Sequence, residues 1–108
     1  MRPESLVQLI GSGNTATVET EWMRLLESPE MSPSALLHYH PVLTELCRMG
    51  KTSVAEEWAW TAIEAMSTRV PPTETLDLGS SFLLAVGDSQ DLRSQVAELY
   101  RAAHNGQE

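Results

Sequence analysis

Residues 50–63 read Gly-Lys-Thr-Ser-Val-Ala-Glu-Glu-Trp-Ala-Trp-Thr-Ala-Ile, and their pattern decides the fold. The turn glycine Gly50 is followed by small and apolar residues that fall on one face of a helix with 3.6 residues per turn. Those residues are Ala55, Ala59, Ala62 and Ile63. The stretch therefore predicts a glycine turn that leads into an amphipathic helix.

The same frame occurs twice more, at Gly13 and Gly87, which lie 37 residues on either side of Gly50. The first copy continues with Val18, Trp22, Leu25 and Leu26, and the last with Leu92, Val96, Leu99 and Tyr100. Upstream of the glycines, Leu6, Leu9 and Ile10 correspond to Leu43, Leu46 and Cys47, and to Ser80, Leu83 and Leu84. A fixed period of this length is typical of stacked helical units that cannot bury their apolar faces alone.

We therefore predict an all-α fold in which three stacked helical hairpins, 3–28, 33–68 and 73–104, form one domain over residues 1–108. The predicted helices are 4–11, 15–28, 33–49, 52–68, 74–86 and 89–104. Pro41 falls inside the third helix, where it removes a hydrogen bond, so we expect a kink between Leu37 and Pro41. The small residues Gly79-Ser80-Ser81 should let a neighbouring helix approach closely.

Side-chain caps are predicted at four helix starts. Ser32 precedes Pro33, which suits an N-cap followed by proline at the first helical position. Ser53 and Glu56 have the spacing of a capping box. Thr73 and Asp88 should begin the last two helices in the same way.

Composition and charge limit the class of protein. The chain has 42% hydrophobic residues, a formal net charge of −8 and a single cysteine. Cys47 cannot form an internal disulfide, and its apolar surroundings indicate a buried thiol. The acidic balance disfavours nucleic-acid binding. Without a run of about 18 apolar residues or a signal peptide, we expect a cytoplasmic location.

The motifs that resemble chemical sites favour structural roles. Gly50-Lys51-Thr52 resembles the end of a phosphate-binding loop, but that loop needs a glycine five residues earlier, where this chain has Glu45. His38 and His40 should point to different sides of a helix, which disfavours a metal site. Glu56 and Glu57 are adjacent on an exposed helix, without an apolar pocket for acid–base catalysis. We therefore interpret the chain as non-enzymatic, with no cofactor and no metal.

Two family resemblances follow from these residues. Gly50, the small residues after it and Tyr39 resemble the tetratricopeptide pattern, although the period is 37 instead of 34 and Pro71 is displaced from the terminal proline position. Leu9-Ile10-x-Ser-Gly-Asn14 and Trp22-x-x-Leu-Leu-Glu27, followed by a long kinked helix, resemble the helical extension ahead of the Gre-type domain in some bacterial transcript cleavage factors. The second resemblance implies an accessory module of a longer protein, with RNA polymerase or an associated factor as its partner.

The leading functional hypothesis is a non-catalytic protein–protein interaction module, such as the N-terminal docking domain of a Gre-type elongation factor. A stand-alone tetratricopeptide-like adaptor is one alternative. A small-ligand carrier is another, and it would need a pocket built from His38, His40 and Cys47.

The partner-binding residues predicted from the frame are Trp58, His40, Thr44 and Arg48. The counterparts of Trp58 are Glu21 and Gln95, so we expect this position to face solvent or a groove and Trp58 to anchor a partner. The alternative is that the central hairpin buries Trp58 beneath the kinked helix. The counterparts of Trp60 are Met23 and Ala97, which predicts a packing role for Trp60. His40, Thr44 and Arg48 follow one another at four-residue spacing and should supply polar contacts.

Overall fold

The computed structural model describes residues 2–87 and 89–105 and shows an all-α chain of three stacked helical hairpins. The helices are α1 (Pro3–Gly11), α2 (Thr15–Glu27), α3 (Pro33–Leu36), α4 (His40–Arg48), α5 (Thr52–Ser67), α6 (Pro72–Ala85) and α7 (Gln90–Asn105). A 3₁₀ turn, Leu37–Tyr39, joins α3 to α4, so these three pieces make up one interrupted helix. Counted as one, the pieces α3, 3₁₀ turn and α4 bring the described residues to the six helices expected. Each helix boundary lies within two residues of its predicted position.

The interruption of the third helix has a local cause. Pro41 lies in the first turn of α4, where a missing N–H costs nothing because no intrahelical acceptor precedes it. The residues just before Pro41 adopt the tighter 3₁₀ turn instead of α-helical geometry. The break therefore falls within the segment where the sequence predicts a kink.

The predicted caps are only partly confirmed. Ser32 accepts a hydrogen bond from the Ala35 amide at 3.2 Å, as predicted. The capping box at Ser53 is wrong because α5 already begins at Thr52, and the cap at Thr73 is wrong because α6 begins at Pro72. The predicted cap at Asp88 lies outside the described residues. Next to it, the Ser89 hydroxyl accepts from the Leu92 amide at 3.4 Å at the start of α7.

The three frame glycines share one backbone conformation. Gly13, Gly50 and Gly87 have φ angles of 89°, 78° and 77°. This left-handed geometry closes the end of the preceding helix, and glycine adopts it without the steric cost that a Cβ would bring. The structure thus supports the 37-residue frame at the positions that carry it.

The hairpins form two layers that share one hydrophobic core. Helices α1, α4 and α6 pack side by side in one layer, and α2, α5 and α7 line the other. Trp22 lies at the centre, where its ring stacks on Trp58 at 5.7 Å and contacts Phe82 at 6.1 Å between centroids. Its indole N–H donates to the Trp58 carbonyl at 3.3 Å. Since Phe82 belongs to the third hairpin, this cluster joins all three hairpins.

Small residues and an arginine fix the packing between neighbouring helices. A Cβ at Gly79 would lie 3.1 Å from a methyl carbon of Val96, so Gly79 allows the close approach of α7 that the sequence predicts. Arg69, after the end of α5, donates to the carbonyls of Leu26 and Ser28 at the end of α2. The guanidinium therefore satisfies carbonyls that the helix end leaves free.

Candidate protein-interaction site

The structure exchanges the environments predicted for two tryptophans. Trp58 is only 5% exposed, so the expectation that it faces solvent is wrong. Trp60 is 40% exposed, so its predicted role in the core is also wrong. A partner would have to open the core to reach the Trp58 ring, whereas it can reach Trp60 directly.

The error has a structural reason. The frame position of Trp58 faces the preceding hairpin, because Trp58 stacks on Trp22 and its counterpart Gln95 donates to the Trp60 carbonyl at 3.1 Å. At Gln95 the polar side chain therefore makes a hydrogen bond between hairpins, whereas Glu21 pairs with Arg24 on its own helix. The position of Trp60 points outward in all three hairpins, since Met23 and Ala97 are exposed as well.

The polar stripe on α4 is partly occupied by intramolecular contacts. His40 Nδ1 lies 3.0 Å from the Ser81 hydroxyl of α6, and the Thr44 hydroxyl donates to the His40 carbonyl at 3.3 Å. Arg48 is paired with Glu45, and this hydrogen bond lowers the pKa of the Glu45 carboxyl below its ordinary value and raises the pKa of Arg48. Thr44 and Arg48 are exposed on one side of α4, while Trp58 lies in the core. The four predicted site residues therefore do not form one surface.

The side chains suggested for a small-ligand pocket join helices to one another. The Cys47 thiol, which is half-buried, donates to the Ala85 carbonyl of α6 at 3.6 Å, and His40 contacts Ser81 of the same helix. His38, in the 3₁₀ turn, is exposed. His40 and Cys47 thus form part of the seam between α4 and α6.

A cleft beside Trp60 is the most chemically distinctive surface feature. It has a volume of about 230 Å³ and lies between the first turns of α5 and α7. We call it the tryptophan cleft, and its lining residues are Ser53, Glu56, Glu57, Trp60, Ser89, Asp91 and Leu92. Three of the seven are carboxylates, so the cleft presents negative charge beside an aromatic ring.

The indole of Trp60 is held in place at the wall of the cleft. Its Nε1 donates to Glu64 Oε2 at 2.9 Å, one helical turn away on α5. The Gln95 amide ties the Trp60 backbone carbonyl to α7. The bond to Glu64 limits the motion of the ring, so a ligand would lose less side-chain entropy on binding to it.

A second surface lies on the far side of the third hairpin. Leu84 is 79% exposed and Tyr100 is 66% exposed, although both belong to the apolar frame. Their counterparts Ile10, Leu26 and Ile63 are buried, and the fourth counterpart, Cys47, is half-buried and contacts Ala85 of the following hairpin. No described residue covers the third hairpin in this way. We call this surface the open end. It comprises the exposed Leu84 and a hollow lined by Leu83, Arg93, Val96, Ala97, Tyr100 and Arg101.

The opposite end of the stack is polar. Glu4 and Gln8 are exposed on α1, whereas their counterparts in the third hairpin, Leu78 and Phe82, are buried against the central hairpin. Terminal units of helical stacks usually carry such a polar outer face. The stack is therefore closed by polar residues at its first hairpin. At its third hairpin Leu84 and Tyr100 are exposed, although Ser80, the counterpart of buried Leu6 and Leu43, is polar and exposed.

Sequence reasoning missed both surfaces. For Trp60 the exposed character of Met23 and Ala97 could not be read from residue type alone. For the open end, the signal was present, because Leu84 and Tyr100 are apolar frame residues in the last copy.

Comparisons with known proteins identify no family: no family model matches the chain, and no curated protein or solved structure is significantly similar to it. Within residues 2–87 and 89–105, no helix is long and apolar enough to cross a bilayer. The same residues contain no group of three side chains suited to hold a metal ion.

Proposed function

We propose that this domain is a non-catalytic protein-interaction module that binds a basic segment of a partner protein in the tryptophan cleft. The observation that carries the proposal is the exposed, hydrogen-bonded indole of Trp60 beside three carboxylates. An arginine or lysine side chain can lie over an indole face and pair with a neighbouring carboxylate, and the cation–π contact contributes about 0.5–2 kcal/mol. The net charge of −8 favours the approach of a basic partner.

The chemistry of the cleft points to an extended basic segment of the partner. The cleft is shallow and lies between two helices, so it can take one or two side chains and not a whole helix. Its acidic residues come from both helices, Glu56 and Glu57 from α5 and Asp91 from α7. A segment with two basic residues could therefore contact both walls at once.

The identity of the partner is a separate hypothesis. The residues that resemble the extension of Gre-type factors have packing roles here, since Ile10, Trp22 and Leu26 lie in the core and Gly13 closes a turn. They therefore point to no partner of their own. RNA polymerase or an associated factor remains a hypothesis from that resemblance, as does a role as a stand-alone adaptor.

The proposal can be tested with a short peptide that alternates arginine and serine. Binding is followed by isothermal titration calorimetry, which also measures variants that lack the indole, with an expected dissociation constant on the order of 0.1 mM. Trp60→Ala should weaken binding about twofold to thirtyfold, while Met23→Ala, at the matching frame position, should leave it unchanged. A change from about 0.05 M to about 0.5 M salt should also weaken binding.

Two results would refute the proposal. One is equal binding of the peptide to the wild type and to Trp60→Ala. The other is equal binding of a control peptide in which glutamate replaces arginine, because the three carboxylates should repel it.

A further inference from the structure

The open end has the features of a contact with a second folded unit. In the first two hairpins, the frame positions of Leu84 and Tyr100 are covered by the next hairpin along the chain. In the third hairpin both are exposed: Tyr100 lines a shallow, mostly apolar hollow, and Leu84 follows another of its lining residues, Leu83, on α6. An apolar patch at the end of a helical stack costs free energy in water until another surface covers it.

We propose that a second copy of this chain covers the open end, so that two chains pair in a symmetric dimer through their third hairpins. The inference is independent of the tryptophan cleft, which lies between α5 and α7 on the inner side of the third hairpin. A head-to-tail contact is disfavoured because the other end of the stack presents Glu4 and Gln8 and would bury them against Leu84 and Tyr100. Pairing through two-fold symmetry is also the commonest form of homo-oligomer.

The charges of the open end are complementary to themselves. Asp77 occupies the frame position of His40, whose ring contacts Ser81 of the next hairpin, so Asp77 points toward the uncovered side. Arg93 and Arg101 line the hollow on α7, where Arg101 is also paired with Glu98 one turn earlier on the same exposed face. The helix α6 therefore brings a carboxylate and α7 brings two guanidinium groups to the same surface.

The antiparallel hairpin determines which charges can meet. Thr73 and Leu76, near the start of α6, line one hollow with Tyr100 and His104, near the end of α7. A two-fold axis parallel to these helices leaves each residue's position along the axis unchanged. It therefore places α6 of one chain against α7 of its partner, with the start of α6 beside the end of the partner's α7. Asp77 of each chain then lies opposite the segment that contains Tyr100 and Arg101 of the other chain. The contact is made twice, and Leu84 is buried against the partner's α7.

Sedimentation equilibrium of the full chain from about 10 µM to about 1 mM tests the proposal, because a contact smaller than a standard interface associates in this range. The wild type should shift from monomer to dimer. Leu84→Ser should weaken association at least about tenfold, a loss of roughly 1.4 kcal/mol or more. Met23→Ser, which removes an exposed apolar side chain from the first hairpin, is the matched control and should change nothing.

A charge exchange tests the arrangement of the two chains. Asp77→Arg and Arg101→Asp should each weaken self-association about tenfold, because each variant places like charges opposite one another. A mixture of the two variants should form a mixed dimer, since every introduced charge then meets an opposite charge. Circular dichroism should show the same helix content in all variants, because the substituted side chains are exposed.

The outcomes separate this proposal from the proposed function. A chain that stays monomeric to about 1 mM overturns the dimer, as does association that Leu84→Ser leaves intact or that the mixed variants fail to restore. Peptide binding in the tryptophan cleft is measured on the same samples and does not depend on these results. Loss of the dimer with retained peptide binding would therefore overturn the pairing alone.

Discussion

Trp58→Ala should destabilise the domain far more than Trp60→Ala. The Trp58 ring is almost fully buried and stacks on Trp22, so its removal loses both the transferred apolar area and the aromatic contact. Replacement of a buried tryptophan by alanine costs about 3–5 kcal/mol. Trp60→Ala loses a partly exposed ring and one exposed hydrogen bond, which we expect to cost about 1 kcal/mol.

Urea unfolding followed by circular dichroism at 222 nm measures both variants against the wild type. With a total stability of about 5–15 kcal/mol, Trp58→Ala removes a large part of the margin, so Trp58→Phe provides a milder second variant. The hydrogen bond from the Trp22 indole should persist in Trp58→Ala and in Trp58→Phe, because its acceptor is the backbone carbonyl of residue 58. Equal losses of stability in Trp58→Ala and Trp60→Ala, or a larger loss in the latter, would refute the assignment of core and surface.

Two further predictions concern a turn and a tyrosine. Gly50→Ala should lower the free energy of unfolding by about 1–2 kcal/mol, because φ is 78° at this position. Gly11→Ala, at the end of α1 and without positive φ, is the control and should be neutral or slightly stabilising. Equal thermal stability of the two variants would contradict this prediction. Burial, and to a lesser extent the charge of Glu4, raises the pKa of Tyr39 above 10.0, so the folded state holds this proton more tightly than the unfolded state. The free energy of unfolding should therefore fall as pH rises from about 10 through the folded pKa, and Tyr39→Phe should flatten this decline in alkaline urea titrations.

The sequence predicts the architecture well because the frame repeats the features that set local structure. A glycine with positive φ closes the first helix of each hairpin. The apolar face that follows it is buried in the central hairpin and, except for the half-buried Leu25, in the first. Helix starts are less predictable. At Thr52 and Pro72 the helix begins one residue before the expected capping side chain, because the backbone continues into helical geometry without a side-chain acceptor.

The candidate site was harder to predict, because the type of residue at a frame position does not show whether its side chain faces another hairpin or the solvent. The position of Trp58 is polar in the other two hairpins, yet Gln95 uses its amide to bond the Trp60 carbonyl of the preceding hairpin. The position of Trp60 is apolar in the other two hairpins, yet all three residues are exposed. Three copies of a repeat are too few for the average hydrophobicity of a position to distinguish these cases.

The open end shows what the frame and the structure supply together. The frame alone identifies Leu84 and Tyr100 as apolar positions, which would suggest burial. The structure alone shows two exposed apolar side chains, which are common on protein surfaces. Only the comparison of the third hairpin with the first two shows that these side chains occupy positions that elsewhere face a neighbouring hairpin. The exposure of Leu84 and Tyr100 therefore marks a surface that no described residue covers. The opposite charges of Asp77 and Arg101 support our proposal that a second copy of the chain packs there.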